Sequence, residues 1–383
     1  MNDIAERGLR DDLTQLLDGF IARGIVGASL AVSGATSAPL VLAAGLADRA
    51  SGAPVTPDRL FKIGSCTKTF VAATLMSLVQ DGAVALTAPV ARWFPDLPFS
   101  ERIRVRQLVD HTAAVPEFEF IMPMSPGRAW TPAEIVALAY TAGPPGEPDA
   151  ACLYSNTGYV LAGMLIERLT GTSLAAQVRA RVLTPLGLTD TFAAAGEAFP
   201  AERLVHGYFH RPAPPPGQAG LSVVEGGEMW KVGDTIGYAD DLQDSTAAFP
   251  MSGAYAAGDM VSTPSDLVSF LDALVGGRLL SAAITAEMID NRRPGSIAIP
   301  QTRLRESGAG VWLMPYAGRD MLGHQGSMPG YVTVMVHHRP SRITLALTTN
   351  TGAGNRLSFY ASGLHGLVDA IFERLLGPTI KSA

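Results

Sequence analysis

Gly64-Ser65-Cys66-Thr67-Lys68-Thr69-Phe70 sets a serine three residues ahead of a lysine at the start of a helix-forming stretch. Side chains at that spacing share one helix face, so a hydroxyl nucleophile and a proton acceptor come within reach of each other. The chain has four lysines, Lys62, Lys68, Lys231 and Lys381, and only Lys68 follows a serine at this interval. Beyond it Val71, Leu75, Leu78 and Val79 recur every three or four residues, which predicts a helix with one buried face, ended by Asp81-Gly82. Ser65 opens that helix, where free backbone N–H groups and the positive dipole end favour an oxyanion. The bland alternative makes Ser65 a cap and Lys68 a solvated residue. A cation in the first turn opposes the dipole, so Lys68 is not placed there for helix stability.

Working outward, residues 4–23 have the pattern of an amphipathic helix. The uncharged run 24–47 is broken by Ser33-Gly34-Ala35-Thr36-Ser37-Ala38-Pro39, turn chemistry that predicts strands at 26–33 and 39–48 and argues against a membrane span. Thr131-Pro132-Ala133-Glu134 is a capping box opening a helix to about 141, and helices are expected at 157–170 and 173–183. Residues 206–248 have no regular pattern and include Arg211-Pro-Ala-Pro-Pro-Pro-Gly-Gln, as in a surface excursion or lid. Thr263-Pro264-Ser265-Asp266 starts a helix that runs to Gly276-Gly277. Strands follow at 310–316, 319–325, 330–338 and 342–349, then an apolar helix at 357–376. The expected fold is α/β of the α+β type. One antiparallel sheet is built from both ends (1–80 and 250–383) and flanked by N- and C-terminal helices, and a mostly helical domain (81–249) is inserted in it.

With 47% hydrophobic and 17% charged residues in 383, the chain is globular. A net charge of -6 without a basic patch argues against nucleic acid or an anionic membrane as partner. His206 and His210 lie in a segment without helical pattern, and His337 and His338 face opposite sides of a strand, so no metal or other cofactor is expected. The N-terminus lacks the apolar core of a secretory signal, which leads to the expectation of a cytoplasmic protein with free Cys66 and Cys152. Cys66 adjoins Ser65 but lies off the face that Ser65 shares with Lys68, which disfavours a thiol nucleophile.

Two further motifs follow in order: Tyr154-Ser155-Asn156 and His324-Gln325-Gly326, the latter on a late strand. No other tyrosine has Asn two residues on. S-x-x-K, Y-x-N and H-x-G in this order resemble the serine β-lactamase and penicillin-binding-protein superfamily, on the branch of class C β-lactamases, DD-carboxypeptidases and D-aminopeptidases. The resemblance spans about residues 8–376 and includes Phe61-Lys62-Ile63-Gly64-Ser65, Asp110-His111-Thr112, Ser262-Thr263-Pro264-Ser265-Asp266-Leu267 and Gly323 through Tyr331. No G-x-S-x-G occurs, which argues against an α/β-hydrolase.

The resemblance implies an acyl-enzyme at Ser65. Either Lys68 or a tyrosinate at Tyr154 is the base, and Tyr154 passes a proton to the leaving group. Asn156, His324, Gly326 and Ser327 are the implied substrate-binding residues, with the N–H groups of Ser65 and Ser327 as oxyanion hole. His111 is read as structural. His324 stands where most β-lactamases have lysine, and Gln325 where threonine is usual, which weakens the case for recognising a substrate carboxylate. The expected activity is hydrolysis of small amides or short peptides, as in a D-amino-acid amidase, aminopeptidase or DD-carboxypeptidase. A carboxylesterase or acyltransferase on the same fold, and a non-catalytic binding module, are the alternatives.

Overall fold

The computed structural model describes residues 3–119, 121–123, 127–212, 238–295, 303–352 and 363–378. The chain opens with helix α1 (Asp3–Ala22), strands β1 (Gly27–Ser33), β2 (Leu40–Asp48), β3 (Ala53–Pro54) and β4 (Phe61–Lys62), and helix α2 (Thr67–Gln80). The middle carries helices α3 (Val105–Val109), α4 (Pro132–Thr141), α5 (Asn156–Thr170) and α6 (Leu174–Val178), then strands β5 (Phe192–Ala193), β6 (Tyr208–Pro212) and β7 (Tyr238–Asp244). Next come α7 (Met251–Ala254), β8 (Met260–Ser262), α8 (Pro264–Val275), α9 (Ala282–Ile289), β9 (Arg293–Pro294) and β10 (Glu306–Ser307). Strands β11 (Trp312–Tyr316), β12 (Arg319–Met328), β13 (Tyr331–His338) and β14 (Ile343–Thr349) precede α10 (Gly363–Leu376).

The main sheet runs β3-β2-β1-β14-β13-β12-β11-β10-β9, so the two ends of the chain meet where β1 pairs antiparallel with β14, Leu30 opposite Leu347. Alternation decides its two faces. Leu30, Val32, Val334, Val336, Leu345 and Leu347 pack against Leu13, Leu17 and Phe20 of α1 and against Val368, Ile371 and Phe372 of α10. Ala31, Met335 and Ala346 face the other way, into the core shared by α2, α5 and α8. With helices on both faces, β1, β13 and β14 are buried almost throughout.

Helix α2 departs from the expected single buried face: every residue from Thr67 to Met76 is buried. The helical middle packs on the side the sheet leaves open, and Thr69 and Thr74 satisfy their hydroxyls on the carbonyls of Gly310 and Phe70. Expected irregular throughout, 206–248 has two paired strands at its ends, β6 on β7, with Tyr208 opposite Asp244. The lid reading falls on 213–237, outside the described residues, as does the start of the helix expected from 357. A second small sheet, β4-β8-β5, brings Lys62, Val261 and Phe192 together. Helix α9 was not anticipated: Ala282–Ile289 carries only the weak cap Ser281 as a local signal. Among the described residues no helix is long and apolar enough to cross a membrane.

Candidate active site

The strand β4 leads into a short 3-10 turn, Gly64–Cys66, so Ser65 sits in the turn that precedes α2. Gly64 has φ +51 and lies against β12: a Cβ there would meet Ser327 N at 2.7 Å. On the opposing strand a Cβ on Gly326 would lie 1.9 Å from Ile63 O and 2.8 Å from Ser65 N. Glycine at both positions brings the Ser65 turn onto the β12 backbone at Ser327, a close approach that a side chain at Gly326 would block.

Ser65 is half-buried, with Lys68 Nζ at 2.9 Å and Tyr154 Oη at 2.6 Å from its Oγ. Lys68 also donates to Asn156 Oδ1 at 2.6 Å and to the carbonyl of Ala257 at 2.7 Å, which completes the three bonds of an ammonium group. The side chain is wholly buried. Burial lowers its pKa from 10.5 to about 7, against the opposing pull of Glu119 and Glu117. Burial pushes the Tyr154 hydroxyl well above its ordinary value, which its bond to Ser65 only partly offsets.

The two carboxylates escaped the sequence reading, since Glu117-Phe118-Glu119 matches no motif. Glu117 Oε2 accepts from Asn156 N and Glu119 Oε2 from Asn156 Nδ2, each at 2.6 Å. Burial, and then the charge of Glu119, raise the Glu117 pKa to about 7. Glu119 is raised too, burial first, but its side chain stays open to solvent, which limits the effect. Asn156 thus links Lys68 to an acidic pair, and Ser155 caps α5 by accepting from Gly158 N.

His111, φ +66 and buried, accepts from Ser155 N through Nδ1 at 3.1 Å and packs its ring 4.7 Å from that of Tyr154. Its bonding is that of a support for the Tyr154-Ser155-Asn156 turn, in line with the structural assignment. His324 is fully buried, its ring 4.1 Å from that of Trp312, with Nδ1 bonded to Gln325 O. Burial and then Lys68 lower its pKa to about 3, so it is a neutral residue at this position. Cys66 and Cys152 are both buried, and burial pushes the Cys66 thiol up. Among the described residues no His, Cys, Asp and Glu cluster is placed to hold a metal; His206 instead pairs with Asp244, and His337 bonds Thr344.

A serine with a buried lysine and a tyrosine on its Oγ, packed on strand β12 of an antiparallel sheet, defines a serine hydrolase of the β-lactamase type. The Beta-lactamase family model matches residues 10–369, and the chain belongs to that family. D-amino acid amidase from Ochrobactrum anthropi SV3, solved with D-phenylalanine, shares 40% identity and superposes with a TM-score of 0.86 over 96% of this chain and 99% of that one. D-stereospecific amidohydrolase from Streptomyces sp. follows at 28% identity and TM-score 0.70, over 88% of this chain and 93% of the other. Penicillin-binding protein 4* of Bacillus subtilis (strain 168) is 26% identical over 80% of this chain, a match that takes in 64% of the relative's length. The alternative of a non-catalytic module gives way to a hydrolase of this family.

Proposed function

We propose that the protein hydrolyses the amide of small amino acids, with a preference for the D configuration, through an acyl-enzyme on Ser65. The observation that carries the mechanism is Ser65 Oγ held between Lys68 Nζ at 2.9 Å and Tyr154 Oη at 2.6 Å. With a pKa near 7 Lys68 is half deprotonated at neutral pH, whereas Tyr154 keeps its proton; Lys68 is therefore the base and Tyr154 the acid. Neutral Lys68 takes the Ser65 proton as Oγ attacks the carbonyl carbon. The oxyanion meets the N–H groups of Ser65 and Ser327. On collapse the C–N bond breaks and Tyr154 protonates the departing amine, leaving a phenolate beside the Lys68 ammonium, which gives the proton back and becomes neutral again. Water then attacks the ester along the same path, and the free acid leaves.

The amide preference rests on the likeness to the two D-specific amidases and on the acidic pair. Glu119, open to solvent and 2.6 Å from Asn156 Nδ2, offers a carboxylate to a substrate α-ammonium beside the nucleophile. A substrate without an α-amino group lacks that contact. The test is a panel of D- and L-phenylalanine amide, a matched ester, a D-Ala-D-Ala peptide and a chromogenic β-lactam, run on the native protein and on Ser65→Ala. D-amide turnover that disappears in the variant is expected. Preference for the β-lactam or the peptide would overturn the substrate class, and equal rates in the variant would overturn the nucleophile.

A further inference from the structure

A cavity of about 430 Å³ is walled by Phe199, Leu204, Phe249, Met251 and Val261, with Lys62 in its lining. Two of its lining residues are joined to the reacting groups by short stretches of chain. Lys62 is three residues before Ser65, a stretch of chain that spans at most about 10 Å. Ser252, also in the lining, leads through α7 to Ala257, whose carbonyl holds Lys68.

Lys62 is only 5% exposed, yet its ammonium makes one hydrogen bond among the described residues, to the carbonyl of Thr246 at 2.6 Å. The face of Tyr331 lies 5.5 Å from Nζ. Two N–H donors of a buried cation are left over, an arrangement that costs free energy unless an anion arrives. Burial lowers its pKa to about 8, opposed by the charge of Asp244. Asp244 is itself engaged by His206 and by the hydroxyl and N–H of Thr246, so it does not close the ammonium's bonding. Arg128, stacked 3.6 Å over Trp130 and paired with Glu134, adds a second cation to the lining.

We infer that this cavity is the acyl side-chain subsite of the amidase proposed above, and that Lys62 makes it favour substrates whose side chain ends in a carboxylate. The inference rests on that amidase assignment. An apolar stem crosses the cavity and its carboxylate takes the free donors of Lys62, while the α-ammonium stays with Glu119. Charge-assisted bonds to a buried group contribute about 1.5–3 kcal/mol, which is about ten- to a hundredfold in kcat/KM.

The experiment compares D-glutamic acid α-amide with its isostere D-glutamine α-amide on the native protein, Lys62→Met and Lys62→Arg. The native protein should prefer the acidic amide by about tenfold or more, Lys62→Met should abolish that ratio, and Lys62→Arg should keep most of it. No preference in the native protein, or a ratio that survives in Lys62→Met, overturns the inference. Should Lys62→Met fail to fold, the native ratio and Lys62→Gln decide. Turnover of D-phenylalanine amide alongside a missing acidic preference leaves the amidase assignment intact, whereas no amide turnover at all overturns both.

Discussion

The sharpest consequence of the site concerns the proton on Lys68. Its pKa of about 7 means that about half of the molecules hold a neutral amine at pH 7 and about 1% at pH 5. A lysine at its ordinary 10.5 would be neutral in only about 0.03% at pH 7. The rate of Ser65 acylation should therefore rise about tenfold per pH unit up to about pH 7 and then level off. It should not fall again within the alkaline range, because Tyr154 titrates well above its ordinary value. Amino-acid amides would confuse this profile, since their own ammonium titrates nearby. A fluorophosphonate with no titratable group reports the enzyme alone, and its second-order labelling rate is measured between about pH 5 and pH 9.5, with peptide mapping to locate the adduct. A rate flat from pH 5 to 8, one still climbing at pH 9.5, or label away from Ser65 would refute the assignment of Lys68 as base.

Glu117→Gln keeps the acceptor for Asn156 N but removes a charge that pulls the Lys68 pKa upward, so the inflection in labelling should move to lower pH. The same variant bears on stability. The folded pKa of Glu117 lies above its unfolded one, so folding costs most above about pH 7 and nothing below about pH 4; the variant should melt higher at pH 8, by about 1–3 kcal/mol, with little change at pH 4. Lys68→Ala and Tyr154→Phe should each lower amide turnover about 10²–10⁴-fold, and the double variant far less than the product, because both act on one proton path. Gly326→Ala drives a methyl into the carbonyl of Ile63, and should cost both melting temperature and most activity, read by calorimetry and the same amide assay. Cys66 and Cys152 should resist a thiol reagent in the folded protein and react on unfolding, since both are buried and the Cys66 thiolate is disfavoured.

Local patterns in the chain determined a good deal. The strand meander at 310–349, the capping box at Thr131 and the helix after Tyr154-Ser155-Asn156 all depend on neighbours within a few residues, and each appears where the pattern set it. Ser65, Lys68, Tyr154 and Asn156 were found by spacing and order, and the fold does bring them onto one another. Tertiary structure alone decided the rest. Nothing adjacent in sequence tells Glu117 and Glu119 that they will bond a residue 39 and 37 positions later, or Ala257 that its carbonyl will hold Lys68 across 189. Whether Lys68 is a base or a surface cation turns on desolvation, which exists only once the middle of the chain has closed over α2. The same holds for Lys62, whose three-residue distance from Ser65 is plain in the sequence, but whose burial and spare donors come from Thr246, Tyr331 and the walls of a cavity drawn from four separate segments. Spacing along a chain fixes which side chains can meet; the dielectric in which they meet is set by everything that packs around them.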